Sequence, residues 1–279
     1  MAQMNKAQQK LQSSAKRFAR ENSSCMKKGG DRIEQARKLY AAYAKKGYHA
    51  LLIPEQFGGK GLSYTSTGIV YETLSYHLPG TLHAPITTAH CAEMIQSSRP
   101  GAIQESCLKN IATGSLAVGF CLTEDSAGSD ITSISTSAQK TAQGYVLKGK
   151  KSIVINHAIA SYLIVFAKLS PEKGRAGINA FVVDPGLEGI TLSDPYDVDG
   201  FAGSVMGEVI LDDVLIDKEC LLGEEGSGYF LLMETLDKGR PLVAASCTGS
   251  ANRVFDIVVS YTKQRHQFGK DLFAFQVVS

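Results

Sequence analysis

Tryptophan is absent from the 279 residues, so no indole is available to cover a planar ring. The six cysteines (Cys25, Cys91, Cys107, Cys121, Cys220, Cys247) form no C-x-x-C pair. That excludes the usual zinc spacings and a small disulfide scaffold, and buried, reduced thiols in a cytosolic kind of compartment are expected. Six histidines lie scattered without an H-E-x-x-H spacing, so no metal site is expected. No apolar run approaching the roughly 18 residues of a spanning helix is seen. A net charge of +2 offers no electrostatic footprint for nucleic acid or a membrane surface. Acids are scarce at the start of the chain: Lys6, Lys10, Lys16, Arg17, Arg20, Lys27 and Lys28 stand against Glu21 alone. Mitochondrial transit peptides share that composition, but the stretch is read as a first surface helix, and the apolar core of a secretory signal is missing.

What is present describes a globular chain, 44% hydrophobic and 20% charged, of a length that suits about two domains. Leu11, Ala15 and Phe18, then Ile33, Ala36, Leu39, Tyr40 and Tyr43, recur at helical spacing, predicting helices over 3–20 and 31–47. Pro54, Gly58, Gly59 and Gly61 mark a loop over 51–63. Helical patterns resume over 64–78, 84–98 and 101–113, so residues 1–114 read as an α-helical domain. From 115 to 225 the texture is short, β-branched and aromatic-rich between Gly, Asp, Asn and Pro, which predicts a compact antiparallel β domain of barrel or sandwich type. Residues 226–279 return to helix, with one long apolar-striped run over 227–262 that Pro241 should kink or loosen. A turn, RHQFGKD, follows, and a further helix is expected from Leu272, interrupted at Ser279. The fold class is α+β.

The stretch LTEDSAGSD (122–130) poses the functional question. Ser, Gly and Asp are ordinary turn formers. The same residues can also cradle an anion, since glycine admits close backbone approach, turn N–H groups form a nest, and a serine hydroxyl can donate to phosphate. Pattern alone favours the turn.

Six stretches reverse that preference: PEQFGGKGLS (54–63), the 122–130 loop with Phe120 and Cys121 before it, GYVLKGKKSIVIN (144–156), LLGEEGSGY (221–229), LDKGRPLVAA (236–245) and QRHQFGKDLFAFQ (264–276). In this order and spacing the chain resembles the acyl-CoA dehydrogenase family over nearly its whole length. The resemblance implies FAD as cofactor, an acyl-CoA substrate and an electron-transferring flavoprotein as acceptor. It implies that the backbone of Leu122 and Thr123 meets the pyrimidine edge of the flavin beside Phe120. It places Gly128 and Ser129 near phosphate and acyl-CoA, with Glu124 and Asp130 holding the loop rather than touching ligand. Arg265, Gln267, Phe268 and Gln276 match a segment that reaches a neighbouring subunit's FAD, which implies a homo-oligomer or a hetero-oligomer of related subunits. Asp237 and Arg240 match positions near acyl-CoA, and as residues three apart on a helix they also read simply as an ion pair.

Two departures stand out. Family members carry Trp and Thr where this chain has Ile153 and Ile155. An isoleucine can cover a ring face but cannot donate to flavin N5, and an ordinary buried strand is the plainer reading of SIVI. The proton-abstracting glutamate is also missing. Its alternative position, immediately before the arginine matching Arg240, is Gly239, and the later position falls beyond Ser279. Neither Glu234 nor Asp237 replaces it, so no catalytic residue is assigned. The expectation is therefore a C-terminally partial dehydrogenase of fatty-acid or lipid metabolism. The alternatives are a non-catalytic partner subunit of a related chain, and a flavin oxidase or monooxygenase of the same fold. A cytoplasmic location is expected, or the mitochondrial matrix in a eukaryote.

Overall fold

Asn5 opens the first helix with a reciprocal cap: its side chain accepts from the Gln8 amide at 2.9 Å, and its own amide donates to the Gln8 side chain at 3.0 Å. The computed structural model describes residues 4–23, 30–98, 101–114, 116–201 and 203–278. Among the described residues five α-helices come first: α1 (Lys6–Glu21), α2 (Arg32–Lys45), α3 (Tyr64–His77), α4 (His83–Ser97) and α5 (Ala102–Thr113). Asp31 and Ser63 cap α2 and α3 through side-chain oxygens that accept N-terminal amides. Ala15 and Phe18 of α1, Leu39 and Tyr43 of α2, and Tyr71 and Leu74 of α3 close one apolar core. α4 is buried on nearly every side, so it lacks the one-sided apolar stripe of a surface helix.

The sheet contains β1 (Ala117–Cys121), β2 (Ser137–Lys140), β3 (Gly144–Ile155), β4 (Ala160–Lys168), β5 (Ile178–Val183), β6 (Ile190–Leu192) and β7 (Met206–Asp217). Its order is β1-β4-β2-β3-β7-β6, with β5 paired to β4. Most pairings are antiparallel, as the strand texture predicts, but β4 runs parallel to β1 and to β2. The reason is connectivity: the 122–130 loop and the β2–β3 hairpin separate β1 from β4, giving the long connection that a parallel pair needs. Alternate residues of β3 and β7, among them Tyr145 and Leu147, and Val209 and Leu211, fill the core of this layer.

After the sheet comes α6 (Gly228–Thr262), continuous through Pro241. It packs on α3 through Gly249, where an added Cβ would strike the Glu72 carbonyl oxygen. The absence of any spanning-length apolar run does not hold: α6 is long and apolar enough, by length and composition, to cross a membrane. In this fold it lies against α3 and α4 with Leu232 and Leu242 buried, while Phe230, Val254, Phe255 and Tyr261 stand more than half exposed. The terminal segment also departs from expectation. Strands β8 (His266–Gln267) and β9 (Lys270–Asp271) form a hairpin, and Leu272–Ala274 makes a single 3₁₀ turn instead of starting a helix. The backbone there closes bonds three residues apart, from the Phe275 amide to the Leu272 carbonyl at 3.1 Å and from the Val278 amide to the Phe275 carbonyl at 2.8 Å, which is the tight-turn pattern and not the α-helical one. Cys91, Cys107 and Cys121 are buried as expected, whereas Cys247 is exposed and Cys25 lies outside the described residues.

Candidate active site

The loop that follows β1 is built by its acids. Ala127 folds back on Glu124, the two residues exchanging backbone bonds of 2.9 and 3.1 Å. The Glu124 carboxylate accepts from the Ser135 amide (2.5 Å) and hydroxyl (2.6 Å) and from the Thr136 amide (3.0 Å) and hydroxyl (2.6 Å). Lys151 of β3 completes the set at 2.7 Å, and its side chain is wholly buried. Burial by itself would raise the Glu124 carboxyl, but Lys151 and the Ser135 and Thr136 donors outweigh it and hold the group down to about 2. Burial likewise pulls the Lys151 ammonium down while Glu124 opposes it. Asp130 accepts from Thr132 and Ser133, so it caps the following 3₁₀ turn.

Two further bonds set the loop against β3. Lys151 Nζ donates to the Leu122 carbonyl at 3.1 Å, and the Ser152 amide donates to the Thr123 carbonyl at 3.0 Å. Leu122 and Thr123 are thereby brought beside Ile153 and Ile155, thirty residues away in sequence. Asn156 anchors the far end of β3. It sits in the left-handed region at φ 69°, fully buried, and donates to the carbonyls of Ala84 (3.1 Å) and Val118 (3.0 Å).

The plain buried-strand reading of SIVI fails at one position: Val154 is fully buried, but Ile153 is 52% exposed. An aliphatic side chain left half open beside backbone edges suits the face of a planar ring. Gly128 adds a second sign, because a Cβ there would meet nothing within 4 Å and its φ is not positive. Neither crowding nor conformation within the chain demands glycine at 128, and open space adjoins the exposed Ser129. These residues fit a flavin nucleotide. Phe120 is half-buried and packs edge-on to Phe166 at 5.4 Å, supporting the loop from beneath.

Two other predicted groups lie elsewhere. Asp237 and Arg240 form an exposed ion pair on α6, worth a few tenths of a kcal/mol at most (~0.2–0.5). Arg265, Gln267 and Phe268 occupy the β8–β9 hairpin at the end of α6, with Phe268 at φ 54° and 91% exposed and Gln276 also exposed. Among the described residues no hydrogen bond or ion pair joins 264–278 to the 122–130 loop.

Sequence reading missed three side chains of α4 and β3. Lys151 gave no signal beyond being one of two adjacent lysines. His90 of α4 is half-buried, with its Nε2 atom buried and unpartnered, and its ring lies where a side chain at Gly239 would go. Burial pushes its imidazole down to about 4. Glu93, one turn further, lines a cavity of about 230 Å³ together with Leu52, Leu62, Tyr64 and Lys238. Its Oε1 accepts from the Tyr64 hydroxyl and lies 3.5 Å from Lys238 Nζ, while Oε2 is buried without a partner. Burial raises this carboxyl, opposed by Lys238.

Three family descriptions match the chain in order: the N-terminal domain of acyl-CoA dehydrogenase over residues 5–115, its middle domain over 119–214 and its C-terminal domain over 226–279. The caffeyl-CoA reductase–Etf complex subunit CarC of Acetobacterium woodii is 31% identical over 256 residues, covering 89% of this chain and 67% of that protein. The structure of butyryl-CoA dehydrogenase from Megasphaera elsdenii superposes with a TM-score of 0.87 at 31% identity, over 100% of this chain and 74% of that one. A structure of PigA with FAD and proline superposes with a TM-score of 0.87 at 26% identity, over 99% and 74%. The helix–sheet–helix fold and the loop site together define a flavoprotein type of oxidoreductase. The chain belongs to the acyl-CoA dehydrogenase family. It spans about two thirds of the length of the curated relatives it matches.

Proposed function

We propose that the chain binds FAD and serves the α,β-dehydrogenation of an acyl-CoA thioester, passing electrons to an electron-transferring flavoprotein. The observation that carries this reading is the 122–130 loop, fixed by β3 against the half-exposed Ile153. Leu122 and Thr123 would offer backbone groups to the pyrimidine edge, Ile153 and Ile155 the wall beside the ring, and Gly128 and Ser129 the approach to phosphate. Arg265, with Gln267, Phe268 and Gln276, would serve the FAD of a neighbouring subunit, its guanidinium suited to a pyrophosphate. Bound there, FAD would take up the hydride equivalent lost from the substrate's β carbon. Asp237 and Arg240 would lie along the acyl-CoA. The free thiols at Cys91, Cys107 and Cys121 suit a reducing compartment such as the cytoplasm.

The α proton needs an acceptor, and Gly239 offers none. The space next to it is taken by His90. That observation rules out a base at position 239 alone, and it leaves a second reading, in which the chain is a partner subunit that holds flavin or a related subunit without performing the proton abstraction itself. Titrating the purified chain with FAD, followed by anaerobic addition of butyryl-CoA, tests the flavin reading and the chemistry of these residues. Flavin uptake with bleaching supports the dehydrogenase; uptake without bleaching overturns proton abstraction by these 279 residues on their own. No uptake removes the flavin reading.

A further inference from the structure

The buried Lys151–Glu124 pair does more than satisfy its own charges, because the same ammonium also holds the Leu122 carbonyl. Glu124 already accepts four bonds from Ser135 and Thr136. The orientation of the peptide that follows Leu122 is what the third partner fixes. A trans peptide is planar, with its C=O and N–H on opposite sides, and the chain has no cis peptide bond among the described residues. With the Leu122 oxygen drawn towards Lys151, the N–H of Thr123 points the other way. In the next peptide the Thr123 oxygen accepts from Ser152, and the Glu124 N–H is spent on Ala127. The Thr123 N–H is thus the donor left over: among the described residues no hydrogen bond uses it. Ile153, next to Ser152 on β3, is the exposed apolar wall beside it.

We propose that Lys151 is a positioning residue: by gripping the Leu122 carbonyl and the Glu124 carboxylate together, it turns the Thr123 amide out as a preset donor for an acceptor atom on the edge of the flavin ring. The proposal rests on the flavin reading above for the identity of the ligand, and on the bonds of this chain for the clamp itself. A preset donor lowers the ordering cost paid when the ligand binds.

The test uses the full chain with two variants, Lys151→Met and the double variant Lys151→Met/Glu124→Gln, the second removing the stranded carboxylate charge that could unfold the first. FAD affinity, the absorption bands of the bound flavin, thermal unfolding and amide exchange at Ser152 and Glu124 are measured together. The expected result is a double variant that melts close to the wild type yet binds FAD at least tenfold more weakly, with shifted flavin bands and faster exchange at both amides in the flavin-free chain. A double variant of normal stability that binds FAD as the wild type does overturns the proposal, and leaves Lys151 as a structural counter-ion. A wild-type chain that takes up no FAD overturns the flavin reading instead. The clamp is then judged by exchange alone, and unchanged protection of Ser152 and Glu124 in the variants overturns it.

Discussion

His90 and Gly239 share one volume: a Cβ built on Gly239 would lie 2.5 Å from Nε2 of the His90 ring. The glycine on α6 and the imidazole on α4 are therefore a matched pair, and neither can be changed alone without cost.

Gly239→Ala should destabilise the chain by roughly 1–3 kcal/mol, the usual range for overpacking, and Gly239→Glu by more. Combining either with His90→Ala should recover most of the loss. Thermal or denaturant unfolding of the five variants, three single and two double, checks this. Additive effects would show that ring and glycine do not compete for the same space. For engineering a carboxylate at position 239, the double variant Gly239→Glu/His90→Ala is thus the informative one.

His90 also predicts how stability depends on mild acid. Burial lowers its folded value from 6.5 to about 4, so the unfolded chain binds this proton more readily than the folded one. The contribution is fully present above about pH 6.5 and declines as pH falls through the window towards 4. His90→Leu should flatten the stability profile in that range, as followed by urea midpoints at stepped pH. A profile of unchanged slope in the variant would assign the loss to other groups.

Glu124 governs a second, lower window. Its folded value lies at about 2 against an ordinary 4.5, so its stabilisation holds above about pH 4.5 and is lost as pH falls towards 2. Lys151→Met, which leaves the buried carboxylate without its ammonium, should cost about 3–5 kcal/mol at neutral pH. It should also weaken the dependence on pH below 4.5, because the carboxyl no longer has a strong reason to stay ionised. Acid titration followed by circular dichroism measures both effects.

Gly249 fixes the approach of α6 to α3. A Cβ there would overlap the backbone carbonyl of Glu72, and a backbone atom cannot move aside as a side-chain tip can. Gly249→Ala should therefore fall at the upper end of the ~1–3 kcal/mol cost of overpacking, despite the better helix propensity of alanine. A neutral result in chemical unfolding would mean that the two helices readily part.

Ile153 should separate binding from folding. Half exposed on β3, it can become serine with a change in stability of roughly 0.5 kcal/mol or less. If it forms the wall beside the flavin, FAD affinity should nevertheless drop severalfold in a fluorescence titration. Equal affinity would place the ring elsewhere.

Much of the architecture was legible because it rests on local pattern. Leu39, Tyr40 and Tyr43 at helical spacing mark the buried side of α2, and Gly and Asn punctuate the strands. The 122–130 loop was legible from composition together with its five companion stretches. The exceptions were places where a distant neighbour decides. Ile153 and Val154 are both β-branched and apolar, and only the bulged pairing of β3 with β7 between Lys151 and Val154, and the loop set beside them, decide which one is left open.

By itself the sequence determined the order of helical, sheet and helical segments, the loop chemistry at 122–130 and the absence of a carboxylate at Gly239. These follow from periodicity, turn chemistry and residue identity, which act over a few neighbouring positions. The tertiary structure alone decided the parallel course of β4, the grip of Lys151 on Leu122 and Glu124, and the seating of His90 against Gly239. In each of these, residues far apart in the chain meet because burying apolar surface forces polar groups to find partners inside the fold, and which partner is reached depends on the packing of whole elements.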